Sequence, residues 1–518
     1  PAGPAGRGRG PPRGAPPAAG PSAGRFPTPP AIFWARGRPG RVRPGRRMEL
    51  PLARGAMRPP GGPPRGAGEL ADEGGEAAIE CAGGDRRAAD SAEMAAAAGG
   101  QAQDVLRAPA SIFSYPGHRW PVRADGYGEQ LREKEARTLA QFGLRPLGEG
   151  QGGGASAVGG VELEVAASPP VNFRQRVRFA VVRIGGRVRF AMFNGGDPAF
   201  IISEADGFPV ASTRINAAMP PTLELLQGNA PLQEGLRACN FLSTLRGGLL
   251  VTLFYDAPLR GDWEAGAHEL RARLGACGVA GRSKGELRSA GELFVTEELA
   301  LADGRRLVYK QVEGSFSNPN SAVSLRSVDW LCSVVRGLEK TGGAEGDLLE
   351  LYCGNGNHTC ALAAHFRKVL GVEINEHLVT LGNENLHANG VRNAKIVRSP
   401  SERFCRKIMK RKAFRDAGEG GLGDFAFGTV LVDPPRAGLD VTTLRLVREF
   451  RSVLYISCNP DTLQDALEAL APTHSLKRFV LLDHFPYTEM RECGVHLVRR
   501  PGSVGPGGAG ARQGTPED

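Results

Sequence analysis

The spacing of apolar and polar residues divides the chain into regions of different character. Up to about residue 120, apolar residues recur without a period among Pro, Gly, Ala and Arg, a pattern that predicts a disordered tail over 1–120. Regularity begins near Tyr127, and Glu129 to Phe142 reads as a helix. A Gly-rich break follows at 149–160. Phe173 to Phe193 then alternates apolar with polar and is interrupted by Gly185-Gly186, the signal of a hairpin. Leu249–Tyr255 is an apolar strand candidate and Asp262–Leu274 a helix. Residues 121–305 are therefore expected to form an α+β domain with antiparallel pairing.

Beyond about Asn318 the rhythm becomes an alternation of helix and strand. A helical stretch at 321–339 precedes a buried strand, Leu348–Tyr352, and a further helix covers Thr359–Phe366. Strands follow at Val369–Glu373, Lys395–Val397, Thr429–Asp433 and Val453–Ile456. Such alternation predicts an α/β fold, a doubly wound, Rossmann-like, largely parallel sheet over 306–500. Leu476–Leu482 and Val495–Val498 are expected to close it, and 501–518 to form a second disordered tail.

Charge changes this picture less than its total suggests. The net charge is +10, but residues 1–47 hold ten arginines and no acid, so the tail carries the whole excess. From Met48 onward 55 basic residues meet 55 acidic ones, and any nucleic-acid surface on the body must be a local patch. The nine cysteines show no CxxC and no zinc or iron–sulfur spacing, so no metal is expected. Scattered thiols in a chain this long fit a reducing, intracellular compartment. No apolar run approaches a membrane span of about 18 residues. The Arg-rich tail has the composition of an organellar (plastid or mitochondrial) transit peptide, although Ser22 is its only serine. Without that role the expected compartment is the cytoplasm, with Met48 as a candidate start.

Chemistry concentrates in the second half. Gly354-Asn355-Gly356-Asn357 follows a strand and precedes a helix, the place where an open α/β sheet binds its ligand. Glu373 stands nineteen residues past Gly354, at the end of the next strand, where a carboxylate can accept hydrogen bonds from ribose hydroxyls. The third glycine of a dinucleotide fingerprint is missing, which favours S-adenosyl-L-methionine over NAD. Asp433-Pro434-Pro435-Arg436 ends the fourth strand beside the same pocket, its prolines stiffening the turn. Taken singly, each of these is also an ordinary turn.

Cys458 lies at the end of the fifth strand, before Asn459-Pro460, and Glu492 just before the last strand. A lone cysteine in an apolar stretch is more often a core thiol, and a lone glutamate more often a surface group. Position separates Cys458 from Cys353, Cys360 and Cys493, because Asn-Pro forces a turn that exposes its sulfur. A thiol and a carboxylate beside a methyl-donor pocket suit methylation of a pyrimidine carbon. Thiolate addition at carbon 6 of uracil makes carbon 5 nucleophilic, and a base then removes the carbon 5 proton so that elimination frees the cysteine.

With these motifs in place, Tyr127 to Arg499 resembles the RNA uracil-C5-methyltransferases, and among them the bacterial-type tRNA (uracil-5-)-methyltransferases. The likeness is densest from Gln311 onward and rests on Leu349–Asn357, Val432–Asp440, Ser457-Cys458-Asn459-Pro460, Asp483–Thr488 and Arg491–Val495. It implies a class I methyltransferase domain, with Cys458 as nucleophile and Glu492 as proton acceptor. It also implies Asn318, Tyr352, Asn357, Glu373 and Asp433 around the cofactor, and the T arm of tRNA as substrate for a monomeric enzyme. Asn318 stands where that family usually has Gln, one methylene longer. Relatives that modify ribosomal RNA typically carry a four-cysteine iron–sulfur motif and an N-terminal β-barrel, neither visible here. Ribosomal RNA as substrate and a non-catalytic tRNA-binding or tRNA-folding protein stand as the alternative readings. For RNA contact, Arg174, Arg176 and Arg178 share one strand face, with Arg183, Arg187 and Arg189 extending the basic hairpin. Phe173 or Phe241 is expected to stack on an extruded base. Arg406–Lys412 reads as a solvated basic helix.

Overall fold

The computed structural model describes residues 119, 121–144, 156–158, 160–192, 200–202, 207–340, 346–410 and 425–502. Of the tails expected at 1–120 and 501–518, residues 1–118, 120 and 503–518 lie outside the described residues, as do most of the Gly-rich break and Arg411 and Lys412 of the basic run.

Two larger sheets and one hairpin carry the fold. Strands β1 (Ser156–Val158), β2 (Val161–Ala166), β3 (Arg176–Ile184), β4 (Arg187–Met192), β5 (Phe200–Ile201), β6 (Leu236–Ser243), β7 (Leu249–Tyr255), β8 (Gly278–Ser283) and β9 (Glu286–Gly291) come first in the chain. Seven of them form one sheet in the order β5-β4-β3-β6-β7-β8-β9. Its pairs are antiparallel except β7 with β8, which the helix Trp263–Leu274 joins as a crossover. Gly185 and Gly186 sit at φ 56° and 78° between β3 and β4, the left-handed pair that a two-residue hairpin turn requires. The apolar half of the alternation, including Val177, Phe179 and Phe190, points into one core with the helices Thr213–Gly228 and Trp263–Leu274.

The hairpin β10 (Phe294–Ala300) and β11 (Arg306–Val312) leads to the second half. There the strands are β12 (Asp347–Leu351), β13 (Val369–Glu373), β14 (Ala394–Arg398), β15 (Phe427–Val432), β16 (Ser452–Ser457), β17 (His474–Leu482) and β18 (Glu492–Arg499). They lie in the order β14-β13-β12-β15-β16-β18-β17, parallel from β14 to β16 and antiparallel at β18 and β17. From β12 the chain winds out to β14, then returns to lay β15 on the other side of β12. A crevice opens where the winding reverses, at the carboxyl ends of β12 and β15. The central strands are buried along their whole length because both faces are covered, and most of their residues are apolar. Leu348 and Leu431 face one core with Val323 and Val335, while Leu349, Leu351 and Val430 face the other with Phe404 and Leu463.

The class I α/β arrangement, with β17 and β18 closing the sheet, follows the pattern expected. One addition was not expected. β2 pairs in parallel with β17, and β1 with β2, so residues 156–166 extend the large sheet to nine strands. The expected division at residue 305 put them in the N-terminal domain, with no strand assigned there. The edge of β17 presents unpaired backbone groups, and β2 satisfies them.

A candidate methyl-transfer site

The first wall of the crevice is built from the turn after β12. Tyr352 takes a left-handed conformation (φ 64°), and Gly356 another (φ 79°). A Cβ on Gly356 would stand 2.8 Å from Ile396 Cδ1, which would have to shift, and the left-handed φ favours glycine there. Asn357 opens the helix Asn357–Leu362, and its carbonyl accepts the Tyr309 hydroxyl at 2.9 Å. Glu373, at the end of β13, is fixed by two backbone donors: Gly354 N–H at 3.0 Å and Asn375 N–H at 2.8 Å. Ile374 beside it is 62% exposed, an apolar surface at the mouth of the crevice. Asn318 Oδ1 accepts the Asn320 N–H at 3.1 Å, and its Nδ2 lies 3.4 Å from His484 Nε2.

Negative groups dominate the interior. Burial pushes Asp433 up to about 7. It pushes Glu350 up to about 8, with Asp433 and Glu373 adding to the shift. No cation pairs with Asp433 among the described residues. Buried carboxylates held this close favour a cationic ligand, whose charge would offset both their desolvation and their mutual repulsion. S-adenosyl-L-methionine, with a sulfonium and an ammonium, fits that demand, with Glu373 and Ile374 placed for its nucleoside end.

Cys458 and Glu492 meet across two strands. β16 pairs with β18 in antiparallel register, the last pair being Ser457 with Cys493, so the next positions outward are Cys458 and Glu492. The turn at Cys458 is held locally. Asn459 caps the helix Pro460–Leu470 by accepting the Asp461 N–H at 3.1 Å, and its Nδ2 donates to the Arg436 carbonyl at 2.9 Å, tying the turn to the Asp-Pro-Pro-Arg loop. Of the eight described cysteines only Cys277 and Cys458 are not buried. Burial raises the Cys458 thiol, Glu492 and Asp433 raise it further, and Arg436 opposes them. Burial and then Asp433 push Glu492 up to about 8, whereas the neighbouring Cys493 is a core thiol at about 12.

The loop between β17 and β18 is locked from the N-terminal helix, Tyr127–Gln141. Lys134 Nζ donates to Asp483 Oδ1 at 2.7 Å and to the Phe485 carbonyl at 2.6 Å. Tyr127 and Gln130 donate to Asp483 Oδ2, and Gln130 Oε1 accepts the Tyr487 N–H. Tyr487 itself is left-handed (φ 63°). The sequence reading missed this network and His484 within it. The signal was a polar stripe at i, i+4 and i+8, Gln130, Lys134 and Thr138, which looks solvated but is buried at 1%, 1% and 0% exposure.

The arginines lie next to the same region. Arg176 donates to the Ser315 carbonyl at 2.9 Å and stands 5.5 Å from the Phe316 ring, while Arg174 Nε donates to the Arg176 carbonyl. Arg178 is exposed over the Phe254 ring. Phe173 and Phe241 are not available to stack on a base: both are buried in the core of the seven-stranded sheet, on the inward half of the alternation. Phe316, at 63% exposure, is the aromatic presented to solvent beside Arg176. One cluster of possible metal ligands occurs among the described residues, Asp303, Cys332 and His365. The Arg305 guanidinium already contacts all three.

The chain matches the family model for tRNA (Uracil-5-)-methyltransferase over residues 156–500. It belongs to that family. A tRNA/tmRNA (uracil-C(5))-methyltransferase of Pseudomonas entomophila is 43% identical over 376 residues, 72% of this chain and 98% of that protein. The protein of the same name from Neisseria meningitidis is 40% identical over 343 residues, 65% of this chain and 91% of that one. Among solved structures, the Pyrococcus abyssi tRNA (uracil-54, C5)-methyltransferase in complex with S-adenosyl-L-homocysteine superposes with a TM-score of 0.51. It is 20% identical, over 72% of this chain and 83% of that chain, a likeness of fold. Among the described residues no helix is long and apolar enough to cross a membrane.

Proposed function

We propose that this chain transfers a methyl group from S-adenosyl-L-methionine to carbon 5 of a uridine in the T loop of tRNA, through a covalent bond between Cys458 Sγ and carbon 6. The observation that carries the reading is the register of β16 with β18, which sets a partly buried thiol opposite a carboxylate only 12% exposed. The names of the bacterial relatives support tRNA as the substrate class.

Each residue's task follows from its surroundings. Glu373, clamped by two backbone donors, has lone pairs left for ribose hydroxyls, and Ile374 offers an apolar face to the adenine. Asp433 and Glu350 give the crevice its negative charge. The bound cofactor supplies an electrophilic methyl. Cys458 adds to carbon 6 as thiolate, and its raised pKa makes loss of the thiol proton part of that step. After methyl transfer Glu492 takes the carbon 5 proton, and the electron pair re-forms the ring double bond as sulfur leaves. A carboxylate near 8 is a stronger base than an ordinary one, suited to a carbon acid. Arg174, Arg176, Arg178 and exposed Phe316 form the surface we assign to RNA phosphates and an unstacked base.

A T-arm stem-loop carrying 5-fluorouridine tests the reading, because fluorine cannot leave as a proton. Wild-type protein is expected to form a methylated complex that survives denaturation, and Cys458→Ala none. A wild-type protein that forms no complex, or an unchanged complex with the variant, would overturn it.

A further inference from the structure

The helix Ser401–Lys410 follows β14 and packs on the sheet face that holds Leu349, Leu351 and Val430. Its residues sort into two stripes. Ser401, Phe404, Cys405 and Ile408 are buried, at the i, i+3, i+4, i+7 spacing of one helix face. Arg403, Arg406, Lys407 and Lys410 repeat that spacing on the opposite face, and all four are exposed. The helix has one acid, Glu402, which pairs with Arg406. Arg403, Lys407 and Lys410 have no ion pair among the described residues.

The sequence reading took this run for a solvated basic helix, but its surroundings give the charge a direction. From Met48 onward 55 basic residues meet 55 acidic ones, so a face of one sign is a local arrangement. The helix Pro460–Leu470 packs on the same sheet face, and its charged residues are Asp461, Asp465 and Glu468. Solvation alone is served by either sign. Here the two helices have opposite signs, which sets a field across this side of the molecule. The positive side continues past the helix. Lys368 Nζ and Lys395 Nζ each stand 5.6 Å from the Phe425 ring centroid, and Phe425 belongs to the core beneath the helix.

The helix also begins where the chemistry is. Ser401 lies beside the Tyr352 hydroxyl, on the wall of the crevice. From there the ten residues carry their cations away from the crevice over about 15 Å. Phosphates recur about every 3.4 Å along one strand of a duplex, so that span accommodates several. Arg176 on β3 belongs to a separate surface, beside Ser315 and Phe316.

We propose that the exposed face of the helix Ser401–Lys410 is a second RNA-binding surface. Its cations hold backbone phosphates of the same tRNA that places its uridine in the crevice, a role that rests on the function proposed above. Contacts to phosphates carry no base sequence and weaken as salt rises. The surface adds affinity and orientation, and leaves the chemical steps to Cys458 and Glu492.

The test removes three charges together from the full chain, Arg403→Gln, Lys407→Gln and Lys410→Gln, and keeps the Arg406–Glu402 pair. Binding of a full-length tRNA transcript is titrated by fluorescence anisotropy over a range of salt. Affinity at about 0.15 M salt is expected to fall about tenfold, and the slope of log affinity against log salt by about two to three, at about 0.9 per phosphate contact. First-turnover methyl transfer at saturating tRNA should stay within about twofold of wild type, so that the loss appears in KM. Exchanging the cations instead, Arg403→Lys, Lys407→Arg and Lys410→Arg, should restore affinity and slope. A control lacking exposed cations on three other elements, Arg132→Gln, Lys284→Gln and Arg326→Gln, should change the slope by less than about one. Wild-type affinity and slope in the first variant overturn the proposal. An equal fall in the control overturns it too, since net charge would then account for the effect. So does a matching loss of affinity for S-adenosyl-L-homocysteine, which would mark a structural role. Failure of the underlying reading shows elsewhere: wild type would bind tRNA and form no methylated uridine in its T loop.

Discussion

The thiol of Cys458 and the carboxylate we assign as base face each other across one pair of strands, yet they are held by different means. Cys458 stands on a shelf made within a few residues of itself: a central strand, an Asn-Pro turn, a capped helix, and one bond from Asn459 to the neighbouring loop. Glu492 follows a loop whose shape is imposed from the N-terminal helix, about 350 positions earlier, through the buried Lys134–Asp483 pair and its hydroxyl and amide partners. The difference teaches that the two halves of one reaction can have separate structural dependencies. Damage to the sheet should strike addition and elimination together. Damage to the helix should strike elimination first.

The sharpest break of that symmetry is Glu492→Gln. It leaves the thiol shelf intact, so addition and methylation proceed, while turnover is expected to fall about 10²- to 10⁴-fold with the adduct accumulating, as read on a denaturing gel. Next is Lys134→Met, which strands Asp483 in the interior and should cost about 3–5 kcal/mol in a denaturant titration. Protein that remains folded should show release of tritium from carbon 5 slowed more than methyl transfer. Acidity gives a third test. Glu492 is raised to about 8 and Cys458 is raised too, and both act in their ionised forms. Proton release from the methylated adduct, the step Glu492 serves, should therefore climb roughly tenfold per pH unit below pH 8 rather than levelling near an ordinary carboxylate value. Smallest is Arg178→Ala, outside both regions. It should weaken tRNA binding uniformly, by about 1 kcal/mol, and lower the salt slope by about one, with the carbon 5 proton lost at the normal rate once RNA is bound.

The same contrast explains what could be read from the residues alone. β12, β13, β15 and β16 are short, mostly apolar segments, and glycine, acid, proline and cysteine stand at or just past their ends, so both the crevice and the thiol shelf were legible. Glu492 owed more to the resemblance than to its local pattern. Its support was not legible, because a Lys and a Gln on a helix look solvated until the buried Asp483 they serve is brought to them. The aromatic choice failed for a related reason. Phe173 precedes Arg174 in sequence and Phe241 pairs with Val177 between Arg176 and Arg178, but alternate positions face opposite sides of a sheet, and both rings point inward. Phe316 lies in a loop without period and gave no signal. β2 was misplaced because Val161–Ala166 carries no mark of which sheet edge it joins; that choice belongs to β17.

The pairing of β2 with β17 also sets a timetable. Arg478 on β17 binds Glu164 on β2 across 314 residues. At about 5–20 residues per second of synthesis, β2 leaves the ribosome roughly 15–60 s before the strand it must pair with. The large sheet therefore cannot be completed until β17 has emerged, and β2 waits without that partner until then. A stop codon ahead of β17 would leave that early strand without a partner and turn it into a nucleus for strand-to-strand aggregation.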